Sequence, residues 1–235
     1  VRPEDSGEHD SPITIEGAPG GERPIFSGGV SVTGWRKPKR KIAGLPQSAQ
    51  KQVWVTDAPE VGGRLLEFRQ LWINEQKAIR ARDRNGDSMN RILNWNHQTE
   101  KCIIPLSETP ALDNATTLEM VIHQWWAIAI LRIKSIDIRG DSAELTFHQP
   151  ESRIQSEHPW PAPWLSKKTG NSAFYLTNAI QLLDQPGEWF LDMKNRQVIY
   201  WPRQGEDMRS ANVVAPVLET LLKIQGTVDR PVREI

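Results

Sequence analysis

The residues best suited to chemistry in this chain are its tryptophans. There are ten, against five phenylalanines and two tyrosines, and an indole combines a broad apolar face with one N–H donor. That combination serves a β-rich core, or a surface on which a sugar ring stacks. Pro159-Trp160-Pro161-Ala162-Pro163-Trp164 interleaves prolines with indoles, so it can be neither a helix interior nor a central strand and reads as a rigid, extended surface element. Rings held on such an element lose little entropy on binding. Trp125 and Trp126 are adjacent at the end of a β-prone run over 117–126. Trp160, Trp164, Trp125 and Trp126 are therefore the candidate carbohydrate contacts. The alternative for each is that its ring covers the domain's own core, because tryptophan is highly buried on average.

Acid–base chemistry needs two carboxyl groups facing one bond, a property of the fold and not of sequence spacing. Asp137 and Asp141, Glu188 and Asp192, and Glu206 and Asp207 are close in sequence, but such pairs recur in any chain with 29 acidic residues. Glu188 and Asp192 read as the polar ends of a hairpin strand, and no catalytic residue is assigned. His9, His97, His123, His148 and His158 are scattered, without the spacing that would hold a metal. Asp83-Arg84-Asn85-Gly86-Asp87 superficially looks like a calcium loop but lacks the later glutamate. No metal site and no cofactor are expected, and no Gly-x-Ser-x-Gly nucleophile motif occurs. The one cysteine, Cys102, cannot form an internal disulfide and reads as a small buried hydrophobe. Asn114-Ala115-Thr116 fits a glycosylation acceptor, a pattern too common by chance to carry weight.

Composition limits the partners. With 29 basic and 29 acidic residues, the chain has no electrostatic footprint for nucleic acid or anionic lipid. No run of about 18 apolar residues is present, so no membrane-spanning helix is expected. The 235 residues suffice for one large domain or two small ones. The polar, acidic opening does not read as a signal peptide, and the expectation is that one was removed or not included.

The elements that must position these residues are mainly β. From Ser11 to Trp35 the sequence consists of short β-like runs broken by glycine and proline, the pattern of successive rungs of a parallel β-helix. Arg36-Lys37-Pro38-Lys39-Arg40-Lys41 reads as an exposed linker. Antiparallel strands follow: 52–55, 65–73 turning through Asn74-Glu75-Gln76 into 77–82, then 117–126, 128–138 and 143–147. Residues 151–168 read as a loop. The spacing of Leu176, Ala179, Ile180 and Leu183 predicts a helix over 176–183, stopped by Pro186-Gly187. A hairpin, 188–192 with 197–202, comes next, with Trp189 and Trp201 facing across it. Short runs then resume and stop without a capping segment, which suggests a fragment of a longer solenoid.

Several of these stretches together resemble a known family. Asp5-Ser6-Gly7, Pro12-Ile13-Thr14, Ser27-Gly28-Gly29, Gly34-Trp35, Phe68 to Asn74 and Lys77 to Arg82 resemble the N-terminal part of bacterial right-handed parallel β-helix glycoside hydrolases, family 141 and its relatives. Phe174 to Ala179, the run Gly187-Glu188-Trp189-Phe190-Leu191-Asp192 and Tyr200-Trp201-Pro202 resemble the end of the β-sandwich domain those proteins insert between early coils. The resemblance implies a parent enzyme that cleaves glycosidic bonds in complex polysaccharides, with its catalytic carboxylates on coils beyond this chain. It also implies a periplasmic, extracellular or cell-surface location.

The expected architecture is thus mainly β: β-helix coils at 1–50, an inserted antiparallel β-sandwich-like domain with one short helix at 51–211, and a return to the β-helix at 212–235. The expected function is a non-catalytic portion of a β-helix glycoside hydrolase whose insertion walls or positions a glycan site. Its partners would be a polysaccharide or oligosaccharide and the remainder of the β-helix. A free-standing carbohydrate-binding module and a structural domain with no ligand remain as alternatives.

Overall fold

The computed structural model describes residues 1–21, 24–85, 88–106, 117–157 and 162–235. Within them the protein is mainly β. A seven-stranded antiparallel sheet has the order Asn90–Arg91, Ala173–Thr177, Glu119–His123, Ile128–Arg139, Ser142–Phe147, Lys101–Pro105, Asn94–Asn96. A four-stranded sheet follows the order Trp54–Asp57, Gln197–Tyr200, Glu188–Asp192, Ile79–Arg80. A second four-stranded sheet joins Gly29–Ser31, Val213–Pro216, Trp72–Ile73 and Gln76–Lys77.

The sheet built on Glu188–Asp192 is the middle layer, and its sequence explains why. Trp189, Leu191, Val198 and Tyr200 enter one core with Trp35, Phe68, Leu71, Ile73 and Val213. Phe190 and Ile199 enter the other, with Val55, Met120, Ile122, Leu131, Phe174 and Leu176. A strand alternates its side chains between faces, so a strand buried on both faces must be apolar at consecutive positions. Trp189 lies flat on Phe68, with ring centroids 5.1 Å apart and an interplanar angle of 11°. Each fully buried large side chain of this kind contributes about 2 kcal/mol relative to exposure. The hairpin is present as expected, but Tyr200, not Trp201, stands opposite Trp189.

The expected helix over 176–183 does not form. Ala173–Thr177 is a strand, Asn178 turns the chain at φ 65°, and only Ile180–Leu182 makes a 3-10 turn. Leu176, Ala179 and Leu183 still reach the core, so the apolar spacing identified buried residues but assigned them the wrong backbone. The α-helix lies instead at Glu151–Glu157, inside the stretch read as a loop. Its buried residues are Ser152 and Ser156 while Ile154 is exposed, so no apolar period announced it. The run over 65–73 is also broken: Arg64–Leu65 and Trp72–Ile73 are separate short strands. The imperfect alternation over 128–138 has a local cause, since the register shifts between Ile133 and Ser135. Such a bulge moves one residue out of phase.

The terminal segments meet. Gly29–Ser31 pairs antiparallel with Val213–Pro216, where parallel rungs were expected. Farther out, the Gln225 N–H donates to the Val1 carbonyl, the Gly7 N–H to Arg233 and the Ile13 N–H to Glu234. These contacts run in the same sense along both segments. Glycine is required at two of the junctions: a Cβ on Gly7 would come within 2.7 Å of the Glu234 carbonyl, and one on Gly29 within 2.9 Å of the Ala215 carbonyl.

Candidate functional site: an exposed tryptophan cluster

Trp125 and Trp126 sit on the tight turn between the central strands Glu119–His123 and Ile128–Arg139, closed by a 2.9 Å hydrogen bond from the Gln124 N–H to the Ala127 carbonyl. Their exposures are 58% and 73%. Solvated turns favour small polar residues, so two neighbouring exposed indoles need another explanation. The turn does not hold them alone. Trp125 meets Trp164 edge-on, centroids 5.8 Å apart at 71°, and Trp126 at 5.9 Å and 52°.

Trp164 is the fixed member. Its backbone N–H donates to Ser172 Oγ at 2.9 Å and its carbonyl accepts from the Ser172 N–H at 3.0 Å. Its indole Nε1 donates to the Gly170 carbonyl at 2.9 Å. Residues far apart in sequence, 125–126 and 164, thus form one tilted aromatic cluster. The rings are not coplanar, so they present an angled surface and not a flat row. Trp160 lies outside the described residues, as do His158, Pro159 and Pro161.

The strands carrying this cluster share a second face, exposed at Ile128 and Ile130 and buried at Val121, Glu119 and Thr177. Across it, Tyr175, Val121 and Ile130 are in register, as are His123 and Ile128, and Thr177, Glu119 and Arg132. His123 and Tyr175 have ring centroids 6.0 Å apart, and the Arg82 guanidinium lies 5.1 Å over the Tyr175 ring. At the far end Glu119, buried, accepts from Arg80 at 2.8 Å and Arg69 at 3.1 Å. Sequence reading missed Tyr175, His123 and Arg82 as neighbours, because they come from three separate segments and share no local pattern.

Asp141 lies exposed in a turn, where among the described residues only its backbone carbonyl is engaged, by the Leu106 N–H; the other carboxylates close in sequence are committed to structure. Asp137 pairs with Arg139, Asp192 accepts from Asn195 in the hairpin turn, Glu206 holds Tyr200 and Arg203, and Asp207 accepts from the Arg209 N–H. Glu188 has no exposed surface; it accepts from the Asn85 side chain at 2.9 Å and from the Asp184 and Gln185 N–H groups. Burial pushes its carboxyl up to about 7 against those bonds, with the Asp184 charge adding to the rise. Asp83 accepts from the Leu176 N–H at 2.7 Å and is raised to about 6, mainly by burial. In the loop that looked like a calcium site, Asp83 and Asn85 therefore face protein donors; Gly86 and Asp87 lie outside the described residues, as does the Asn114 tripeptide. Cys102 is buried, and burial pushes its thiol up.

Residues 51–203 match the family described as the GH141 insertion domain. The chain belongs to that family. A solved structure, of a glycoside hydrolase, is 44% identical with a TM-score of 0.83, covering 100% of this chain and 38% of its own. This GH141 insertion-domain chain thus spans 38% of the length of that relative. No curated protein matches it. The match over 51–203 contains the whole tryptophan cluster and the middle-layer hairpin. Among the described residues, no helix is long and apolar enough to cross a membrane.

Proposed function

We propose that this chain is a non-catalytic portion of a glycoside hydrolase and that its insertion holds a glycan on the Trp125–Trp126–Trp164 cluster. The observation that carries the reading is the pair of exposed indoles on a strand turn, held by an indole that is itself tied to backbone. Indole faces bury the apolar C–H face of a sugar while its hydroxyls stay wet. Rigidity lowers the entropy cost of that contact.

In this reading the outer parts of residues 1–50 and 212–235 are coils of a parallel β-helix and 51–211 is the insertion, with Gly29–Ser31 and Val213–Pro216 joining the insertion's antiparallel strands instead. Two features support it: the same-sense backbone contacts between residues 1–13 and 223–234, and the exposed apolar side chains Phe26, Leu218, Leu221 and Leu222 in those segments. Contiguous exposed apolar surface marks an interaction site, and the remainder of the β-helix is its proposed cover. The parent enzyme would act on complex polysaccharides in the bacterial periplasm, outside the cell or at its surface, with catalytic carboxylates elsewhere in its chain.

A specific observation favours one other reading. Ile128 and Ile130 are exposed beside the tryptophans, so the face could dock on protein instead of sugar. Titrating the chain with plant and host polysaccharides while following tryptophan emission separates the two. A saturable shift lost in Trp125→Ala supports glycan contact. No response to any glycan overturns it and leaves a docking face.

A further inference from the structure

We propose that the tryptophan cluster continues into a second subsite, formed by Tyr175, His123 and Arg82, that takes a sugar carrying a carboxylate, so that the bound glycan contains a uronic acid. The inference rests on the glycan reading above and narrows its ligand.

The geometry is that of an unfilled anion partner. Arg82 donates its Nε–H to Asn85 Oδ1 at 2.9 Å, and its terminal nitrogens donate no hydrogen bond among the described residues. Its guanidinium lies over Tyr175, and His123 packs on the same ring. Several other charges on this face are matched. Glu119 is shared by Arg69 and Arg80, Arg132 is bound by Glu151, and Asp83, the acid next to Arg82 in sequence, is turned to Leu176 and Asn90. Among the described residues, Arg82 is thus a cation on this face with both terminal nitrogens to spare. A planar guanidinium fork fits a planar carboxylate with two parallel hydrogen bonds. The Tyr175 hydroxyl and the His123 ring add polar groups beside it. His123 lies directly before the Gln124–Ala127 turn that carries the indoles, so one oligosaccharide can reach both sets.

The test uses matched ligands: oligogalacturonate and glucuronoxylan fragments, each beside its carboxyl-reduced neutral form, titrated into the 235-residue chain by calorimetry at low salt. The expected result is that a uronate form binds about tenfold or more tightly than its reduced form, with the margin shrinking as salt is added. Arg82→Gln should remove the margin and leave neutral binding intact, whereas Trp125→Ala should weaken both. Tyr175→Phe, which deletes one oxygen, should weaken uronate binding several-fold without changing the melting temperature. Equal binding of charged and reduced forms overturns the inference and leaves the glycan reading standing. Binding of neither overturns both.

Discussion

Trp125 and Trp164, 39 residues apart in a 235-residue chain, meet edge to face with ring centroids 5.8 Å apart. Trp164 is anchored by Ser172 and Gly170, and Trp125 is carried on a strand turn. The pair therefore couples the strand turn to an anchored loop. The cluster's orientation depends on that coupling, and so do the consequences of altering it.

Replacing Trp164 with alanine should loosen the turn without unfolding the protein. The half-buried indole and its Nε1 hydrogen bond together stabilise by about 2 kcal/mol, so urea unfolding should show a loss of that order. Emission from Trp125 should shift toward that of a solvated indole, and glycan affinity should fall although Trp125 and Trp126 remain. Unchanged affinity in Trp164→Ala would mean that the anchoring is irrelevant to the site.

Stability should fall as pH rises through the weakly acidic range. Glu188 rises from 4.5 to about 7 on folding, and Asp83 from 3.8 to about 6. The folded state therefore binds protons more tightly than the unfolded state. The proton-linked stability is fully present below the unfolded values and is lost as pH climbs through the folded ones. For Glu188 the window runs from 4.5 to about 7, and the loss is on the order of 3 kcal/mol at about 1.4 kcal/mol per unit. Melting temperature should be higher near pH 5 than near pH 8, and Glu188→Gln should flatten that slope while costing about 1 kcal/mol for a mismatched donor. A slope unchanged in Glu188→Gln would assign the effect elsewhere.

How far the sequence disclosed this arrangement depends on whether the governing contact was local. Gly187 to Asp192 was legible because consecutive apolar residues on one strand already require burial on both faces. The Asn74-Glu75 turn was legible too, and both residues adopt positive φ. The strand at 173–177 was not, because Leu176, Ala179, Ile180 and Leu183 satisfy a helical period while Phe174 and Leu176 satisfy a strand period, and Asn178 decides between them through a left-handed turn. The helix at 151–157 buries serines, so no apolar signal existed. At the site, each tryptophan could be singled out by its neighbours in sequence, but their convergence, and that of Arg82 on Tyr175, joins segments far apart in the chain.

The ion pair at Glu119 should be costly to break. With 3% side-chain exposure and two arginines, its charge is compensated only while both remain. Arg80→Ala should destabilise by about 3 kcal/mol, because it leaves a buried carboxylate half-paired. Breaking the exposed pair Arg139–Asp137 with Arg139→Ala should cost far less, since solvent screens it. Similar losses from the two substitutions, measured by urea unfolding, would count against the buried character of Glu119.

The most direct measurement is affinity electrophoresis of the wild-type chain and the Trp125→Ala/Trp126→Ala double variant through native gels containing the panel of polysaccharides. Both indoles are exposed, so the variant should keep its fold and its mobility in a blank gel. The expected result is that at least one polysaccharide retards the wild-type chain and leaves the double variant unretarded. Equal retardation of both, or retardation of neither by any polysaccharide, would contradict the account.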